Sequence, residues 1–295
     1  MDTSLAHDLG RVGIWSTALR SGDPARGGEI AETAKELETL GYGTLWVGGS
    51  PSVEQVVPLL DATTGITVAT GILSIWEHEP TDVAAAFTEV NAAHEGRFVL
   101  GLGVSHSALT DRYRRPVEAM VRFLDALDDA PTPVPAERRV LAALGPRMLR
   151  LARDRAAGAH PYLVTSEHTA TARELLGEAA VLAPEFKVVL DTDAERARAR
   201  ARAYLSGYLQ LENYVRSFRR LGFGDEDFAD GGGDRLLDAV FAIGDAETIA
   251  RKVNAFFAGG ANHVALQVVT DDTRGELPLD AYRALAPAFG LGGGA

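Results

Sequence analysis

The stretch Gly65-Ile-Thr-Val-Ala-Thr-Gly-Ile-Leu-Ser-Ile-Trp-Glu-His-Glu-Pro80 decides the fold. Its first part, Ile66-Thr67-Val68-Ala69-Thr70, is a β-branched run of the kind that parallel sheets bury on both faces. Gly71 breaks the run, and a polar and aromatic turn carrying Ser74, Trp76 and His78 follows. Pro80 and Thr81-Asp82 then signal a helix start, and Val83, Phe87 and Val90 share one helical face. The stretch is one strand, loop and helix, with its unusual residues at the carboxyl end of the strand. Ligands sit at that end in parallel α/β folds.

The same alternation extends in both directions. Strand patterns occupy residues 11–15 and 44–47 upstream, then 97–103, 139–144, 159–164, 186–190 and 262–269 downstream. Helical patterns separate them: Ile30, Ala34 and Leu37 before Gly41, and Val117, Met120, Val121, Leu124 and Leu127 after the fourth strand. Eight such units predict an α/β fold, a (β/α)8 TIM barrel, over a single domain of residues 1–295. The alternative is an open doubly wound sheet, but no Gly-x-Gly-x-x-Gly opens the first crossover. Extra helices fill a helical insertion between strands 7 and 8, roughly residues 192–261. Pro161 inside the sixth strand points to a bulge or a site.

Composition narrows the function. A net charge of -12 argues against a nucleic-acid partner, and the arginine and alanine alternation of residues 196–202 reads as a solvated helix face. No apolar run approaches the ~18 residues of a membrane span, and residues 1–10 are polar, so a cytoplasmic protein with no membrane partner is expected. With no cysteine there is no disulfide framework, thiolate metal site or cysteine nucleophile. The seven histidines show no His-x-His or His-Glu-x-x-His spacing, so no metal is expected.

The strand ends deliver glycines, small hydroxyls, tryptophans and histidines, without the paired carboxylates of a glycosidase. Trp15, Ser16, Gly49, Ser50, Trp76 and Tyr162 are the candidate substrate-pocket residues, and Gln267 and Asp191 arrive at the same end. This inventory suits a flat aromatic ligand bearing phosphate, because glycines allow close backbone approach and backbone N–H groups hold anions.

Four segments, Ala69-Thr-Gly-Ile-Leu-Ser-Ile-Trp76, Gly96-Arg-Phe-Val-Leu-Gly-Leu-Gly-Val104, Leu141-Ala-Ala-Leu-Gly-Pro-Arg147 and Gly158-Ala-His-Pro-Tyr162, carry a resemblance over nearly the whole chain. The sequence resembles the luciferase-like flavin and deazaflavin oxidoreductases (LLM class), nearest the actinobacterial branch that uses coenzyme F420. The resemblance implies hydride transfer between F420 and a small organic substrate. It also implies a non-proline cis peptide near Gly71-Ile72 behind the ring, with Thr70, Gly103 and Val104 beside it. Leu144, Gly145, Pro146 and Arg147 would hold the cofactor tail, and His160 would lie next to the cofactor. His106, titrating near neutrality beside the expected ring face, is the candidate catalytic residue for moving a proton. By analogy a homodimer is expected.

The chain departs from relatives that oxidise sugar phosphates. These are expected to place an acid and a histidine after the second strand and a glutamate after the fourth; here stand Gly48-Gly-Ser-Pro51 and Val104-Ser-His106. An FMN-dependent luciferase-like monooxygenase shares most of the same motifs, and a flavin-binding barrel without catalysis is the third reading.

Overall fold

The strand and helix patterns alternate as expected in the structure, a computed structural model that describes residues 5–105 and 113–292. Eleven parallel strands form one sheet: β1 (Val12–Ser16), β2 (Thr44–Gly48), β3 (Thr67–Gly71), β4 (Leu73–Ser74), β5 (Phe98–Gly103), β6 (Arg139–Leu141), β7 (Gly158–Ala159), β8 (Val181–Leu182), β9 (Glu185–Leu190), β10 (Phe241–Gly244) and β11 (Val264–Val268). Two pairs of strands are single staves. β3 and β4 are interrupted only at the cis Gly71-Ile72 peptide, after which Leu73 and Ser74 resume pairing with Leu102 and Gly103. β8 and β9 are separated only by Ala183 and Pro184.

That second stave closes the barrel. On one side Ala183 N and Glu185 N donate to Ala159 O and Pro161 O, and on the other Asn262 N and Ala265 N donate to Leu182 O and Pro184 O. The ring therefore has eight staves, as the sequence predicts. Two expected strands are shorter, ending at Leu141 and Ala159 rather than 144 and 164. Pro161 has no N–H to give a ladder and Leu163 takes φ 54°, so the chain leaves the sheet at His160. β10 is an addition that the hydrophobic pattern does not reveal. It pairs with the carboxyl half of β9, from Lys187 to Leu190, in the space the short β7 leaves.

The helices are α1 (Leu5–Leu9), α2 (Gly27–Thr39), α3 (Val57–Ala62), α4 (Pro80–Ala93), α5 (Pro116–Asp128), α6 (Pro146–Arg155), α7 (Ser166–Leu176), α8 (Ala194–Tyr208), α9 (Glu212–Arg220), α10 (Asp225–Phe228), α11 (Asp234–Val240), α12 (Ala246–Ala258) and α13 (Leu279–Leu285). Most of the core lies between the staves and the outer helices, and a second core, built on Leu205, Tyr214, Phe218 and Leu237, lies under α8–α11. Inside the barrel Trp46 is fully buried, stacked on His160 at 4.0 Å and tilted against His263 at 5.8 Å. Among the described residues no helix is long and apolar enough to cross a membrane.

The arginine run is not the solvated face expected from its sequence. Ala197, Ala201 and Leu205 turn α8 inward, and the arginines between them are ion-paired. Arg198 reaches Asp234 and Asp238, Arg202 reaches Asp234, and Arg200 reaches Asp271 at 2.8 Å. They tie α8 to α11 and to the segment after β11.

Candidate active site

One cleft of about 1640 Å3 opens at the carboxyl ends of the staves, above the 300–1,000 Å3 typical of small-ligand sites. Its lining brings together Trp15, Gly49, Ser50, Gly71, Ile72, Val104, Leu144, Gly145, Pro146, Arg147, His160 and Tyr162, all read from the sequence as site residues.

On the amino-terminal side the wall is mostly backbone and indole. The Trp15 indole N–H donates to Gly71 O at 2.8 Å, and its ring lies so close to Gly48 and Gly71 that a Cβ at either would come within 2.6 Å of it. A Cβ on Gly101 would meet Thr70 O at 1.9 Å, and one on Gly103 would meet Ile72 Cδ1 at 2.3 Å. These glycines admit neighbouring backbone and side chains. Ser50 donates to Glu77 at 2.9 Å and accepts from Ser74 N at 3.2 Å, while the buried Ser74 hydroxyl has no partner among the described residues. Arg20 is held on Gly48 O and Gln55.

Four of the named residues stand behind this wall instead of in it. Thr70 bonds Gly101 through both its hydroxyl and that residue's N–H, at 2.8 Å each. Gly103 is covered by Ile72, and the Ser16 hydroxyl accepts from Ala18 N at 3.0 Å. The Trp76 indole N–H donates to Val104 O at 2.6 Å, so this side chain braces the loop and is not a cleft lining. His78 is half-buried with a covered, unpartnered Nε2, unlike the solvated histidine its two flanking glutamates suggest. His106 lies outside the described residues.

Loop Leu144–Gly145 leads into α6. Pro146 at the first helical position has no N–H, and Leu149 N closes on Gly145 O, which leaves the Arg147 and Met148 N–H groups without partners within the helix. The His168 Nε2–H donates to Leu144 O at 3.0 Å and fixes the loop. Arg220 from α9 converges here: a side chain on Gly145 would lie 3.9 Å from its guanidinium. Among the described residues neither Arg147 nor Arg220 has a carboxylate partner, whereas Arg216 is paired with Glu212.

His160 is 1% exposed. Its Nδ1–H donates to Ala183 O at 2.6 Å, leaving Nε2 as a buried acceptor without a partner. Burial lowers its pKa to about 3, so the ring is neutral at physiological pH.

The carboxyl-terminal side holds residues that sequence reasoning missed. Lys187 and Glu185 form a fully buried pair at 2.7 Å, and the Lys187 ammonium lies 3.7 Å from the centre of the Tyr162 ring. Burial lowers the lysine's pKa and raises the carboxyl's, each opposed by attraction to the other. The Tyr162 hydroxyl meets Tyr204, Tyr208 and Gln267 at 2.8, 2.7 and 3.0 Å. Two charges at i and i+2 of an otherwise apolar strand fall on one face, and this spacing was the available signal.

Residues 11–125 match the family model described as luciferase-like monooxygenase. The barrel also resembles solved structures along nearly its whole length. One is an F420-dependent secondary alcohol dehydrogenase in complex with an F420-acetone adduct (TM-score 0.73, 14% identity, covering 95% of this chain and 99% of that one). A second is the coenzyme F420 dependent tetrahydromethanopterin reductase from Methanopyrus kandleri (0.70, 14%, 95% and 97%). A third is the oxygenating constituent of 3,6-diketocamphane monooxygenase from the CAM plasmid of Pseudomonas putida, in complex with FMN (0.62, 16%, 94% and 96%). At these identities the likeness is one of fold. No curated protein matches the sequence.

Proposed function

We infer that this luciferase-like barrel is an F420-dependent oxidoreductase acting on a small organic substrate. The observation that carries the reading is the convergence of Arg147 and Arg220, without carboxylate partners among the described residues, on the α6 start at one end of an oversized cleft. Two guanidiniums and free backbone N–H groups suit a ligand with several negative charges in a row. F420 carries such a tail, while FMN ends in a single phosphate. The long cleft leaves space for ring, tail and substrate together.

The residues also fit the ring. Gly71, Ile72 and Val104 would back its face, and Trp15 would close its edge. When bound, the deazaflavin supplies a two-electron hydride acceptor or donor. The chain's own part is to hold the substrate against that ring and orient the substrate oxygen.

A fluorescence titration of the purified protein with F420, and separately with FMN, tests this. Saturable F420 binding at micromolar concentration with at least tenfold weaker FMN binding is expected. Preference for FMN would replace the reading with an FMN-dependent monooxygenase, and binding of neither would remove the cofactor assignment.

A further inference from the structure

The phenols on the carboxyl-terminal side form a hydrogen-bonded group whose valences can be counted. A phenol has one proton and two lone pairs, and an amide oxygen only accepts. Tyr162 therefore spends its proton on Gln267 Oε1 at 3.0 Å. Its lone pairs are filled from Tyr204 at 2.8 Å and Tyr208 at 2.7 Å. Tyr204 also accepts from Gln267 Nε2 at 2.7 Å, so it meets three groups, as does Tyr162. Tyr208 meets only two, Tyr162 and, at 3.1 Å, Tyr204. With both their protons spent on Tyr162, Tyr204 keeps one lone pair and Tyr208 keeps two, so among the described residues Tyr208 retains the most spare capacity of the three hydroxyls, and it lines the cleft.

Its position is set from behind. The buried Lys187 ammonium supports the Tyr162 ring, and the Tyr214 ring packs edge-on against Tyr208 at 5.3 Å. The group also lies one aromatic layer from the expected ring wall. Trp15 bonds Gly71 O on one side and packs against Tyr162 at 5.2 Å on the other. Burial raises the pKa of Tyr204, Tyr208 and Tyr162, so each keeps its proton at neutral pH.

We propose that Tyr208 is the residue that contacts the substrate's oxygen, and that the substrate is a neutral alcohol or its carbonyl partner. With its proton on Tyr162, Tyr208 offers lone pairs to an alcohol O–H. With its proton turned into the cleft, it donates to a carbonyl. One hydroxyl thus serves both sides of the redox pair, at the cost of exchanging one internal hydrogen bond. The proposal rests on the oxidoreductase reading. With a deazaflavin bound, that group would supply the acceptor for the hydride leaving the alcohol carbon, the hydroxyl proton would pass to water in the open cleft, and reduction would reverse both.

The test uses cofactor-free protein and the intrinsic fluorescence of Trp15 at the cleft wall, titrated with cyclohexanol and with cyclohexanone. The wild type is expected to bind both, and Tyr208→Phe to weaken each at least fivefold with an unchanged Tm and unchanged F420 affinity. Equal binding by wild type and variant, or binding of neither probe to the wild type, overturns the proposal. Because this readout needs no cofactor, loss of probe binding in the variant sustains Tyr208's role even where the F420 titration fails. In turnover with F420, Tyr208→Phe is expected to raise KM for the alcohol at least fivefold. An unchanged KM would also overturn the assignment.

Discussion

From β1 to β5 the mouth of the barrel is walled by backbone, glycines and one indole, whereas from β7 to β11 it is walled by phenols and an amide, backed by a buried ion pair. The first half is the part that the luciferase-like model covers; the second lies beyond residue 125. A wall of backbone is a surface on which any flat ring can lean, and it carries little information about what reacts there. Side chains with fixed hydrogen-bond valences discriminate between substrates. The comparison teaches that, on the proposed reading, the surface for the ring and the hydroxyls for the substrate stand on opposite sides of one cleft, with the cationic groups for an anionic tail between β6 and α9.

The largest effect should come from breaking the ion pair that holds the second side. Lys187→Met leaves the Glu185 carboxylate buried beside an apolar chain, with Oε1 already unpartnered. A loss of about 3–5 kcal/mol is expected in urea unfolding, and the double variant with Glu185→Gln should recover most of it. A neutral Lys187→Met would remove charge from the account of this side.

Next comes acid. His160 and His263, which flank Trp46 where the two sides meet, stay neutral in the folded protein down to about pH 3 and 4 but ionise near 6.5 when unfolded. The unfolded chain thus binds more protons in that window. This contribution is complete above pH 6.5 and falls away as pH drops toward the folded values. Between pH 7 and 5 a loss of roughly 2 kcal/mol per histidine is expected, read as a shift of the urea midpoint. Stability that does not fall on acidification would show that these rings are not held neutral.

The first side should instead respond to added bulk. Gly101→Ala drives a methyl group against the Thr70 carbonyl, which cannot swing aside, and should cost about 1–3 kcal/mol. Gly103→Ala meets chiefly the flexible tip of Ile72, with Ala142 Cβ at 3.3 Å, and should cost less, while displacing that tip toward the cleft and weakening ring binding. Equal costs for the two would argue against a wall set by backbone contact. The smallest expected effect is Arg216→Ala, which removes an exposed pair with Glu212 and should change stability by less than about 1 kcal/mol.

How much of this was legible depended on range. The β-branched run before Gly71 and the glycine and proline stop at residues 145–146 are local signals, and they placed the cleft's first wall and the loop before α6. β10 was invisible because Phe241 follows α11 without a turn residue. Arg220 meets Gly145, and α8 carries Tyr204 and Tyr208 to Tyr162, only through the path of the insertion. No local pattern encodes such meetings. The Arg196–Arg202 run misled for the same reason: its acidic partners at 234, 238 and 271 lie far along the chain. Arg147 entered only through the family resemblance, and its lack of a carboxylate partner among the described residues needed the structure.

The most direct test of the divided cleft compares F420 with the same deazaflavin chromophore lacking its anionic tail, in the wild type and in Arg147→Ala/Arg220→Ala. The wild type is expected to hold the tailed form at least a hundredfold more tightly at low salt. The double variant should lose most of that ratio while binding the tail-less ring as before. Equal affinities for the two forms in the wild type, or a ratio untouched by the double variant, would contradict the account.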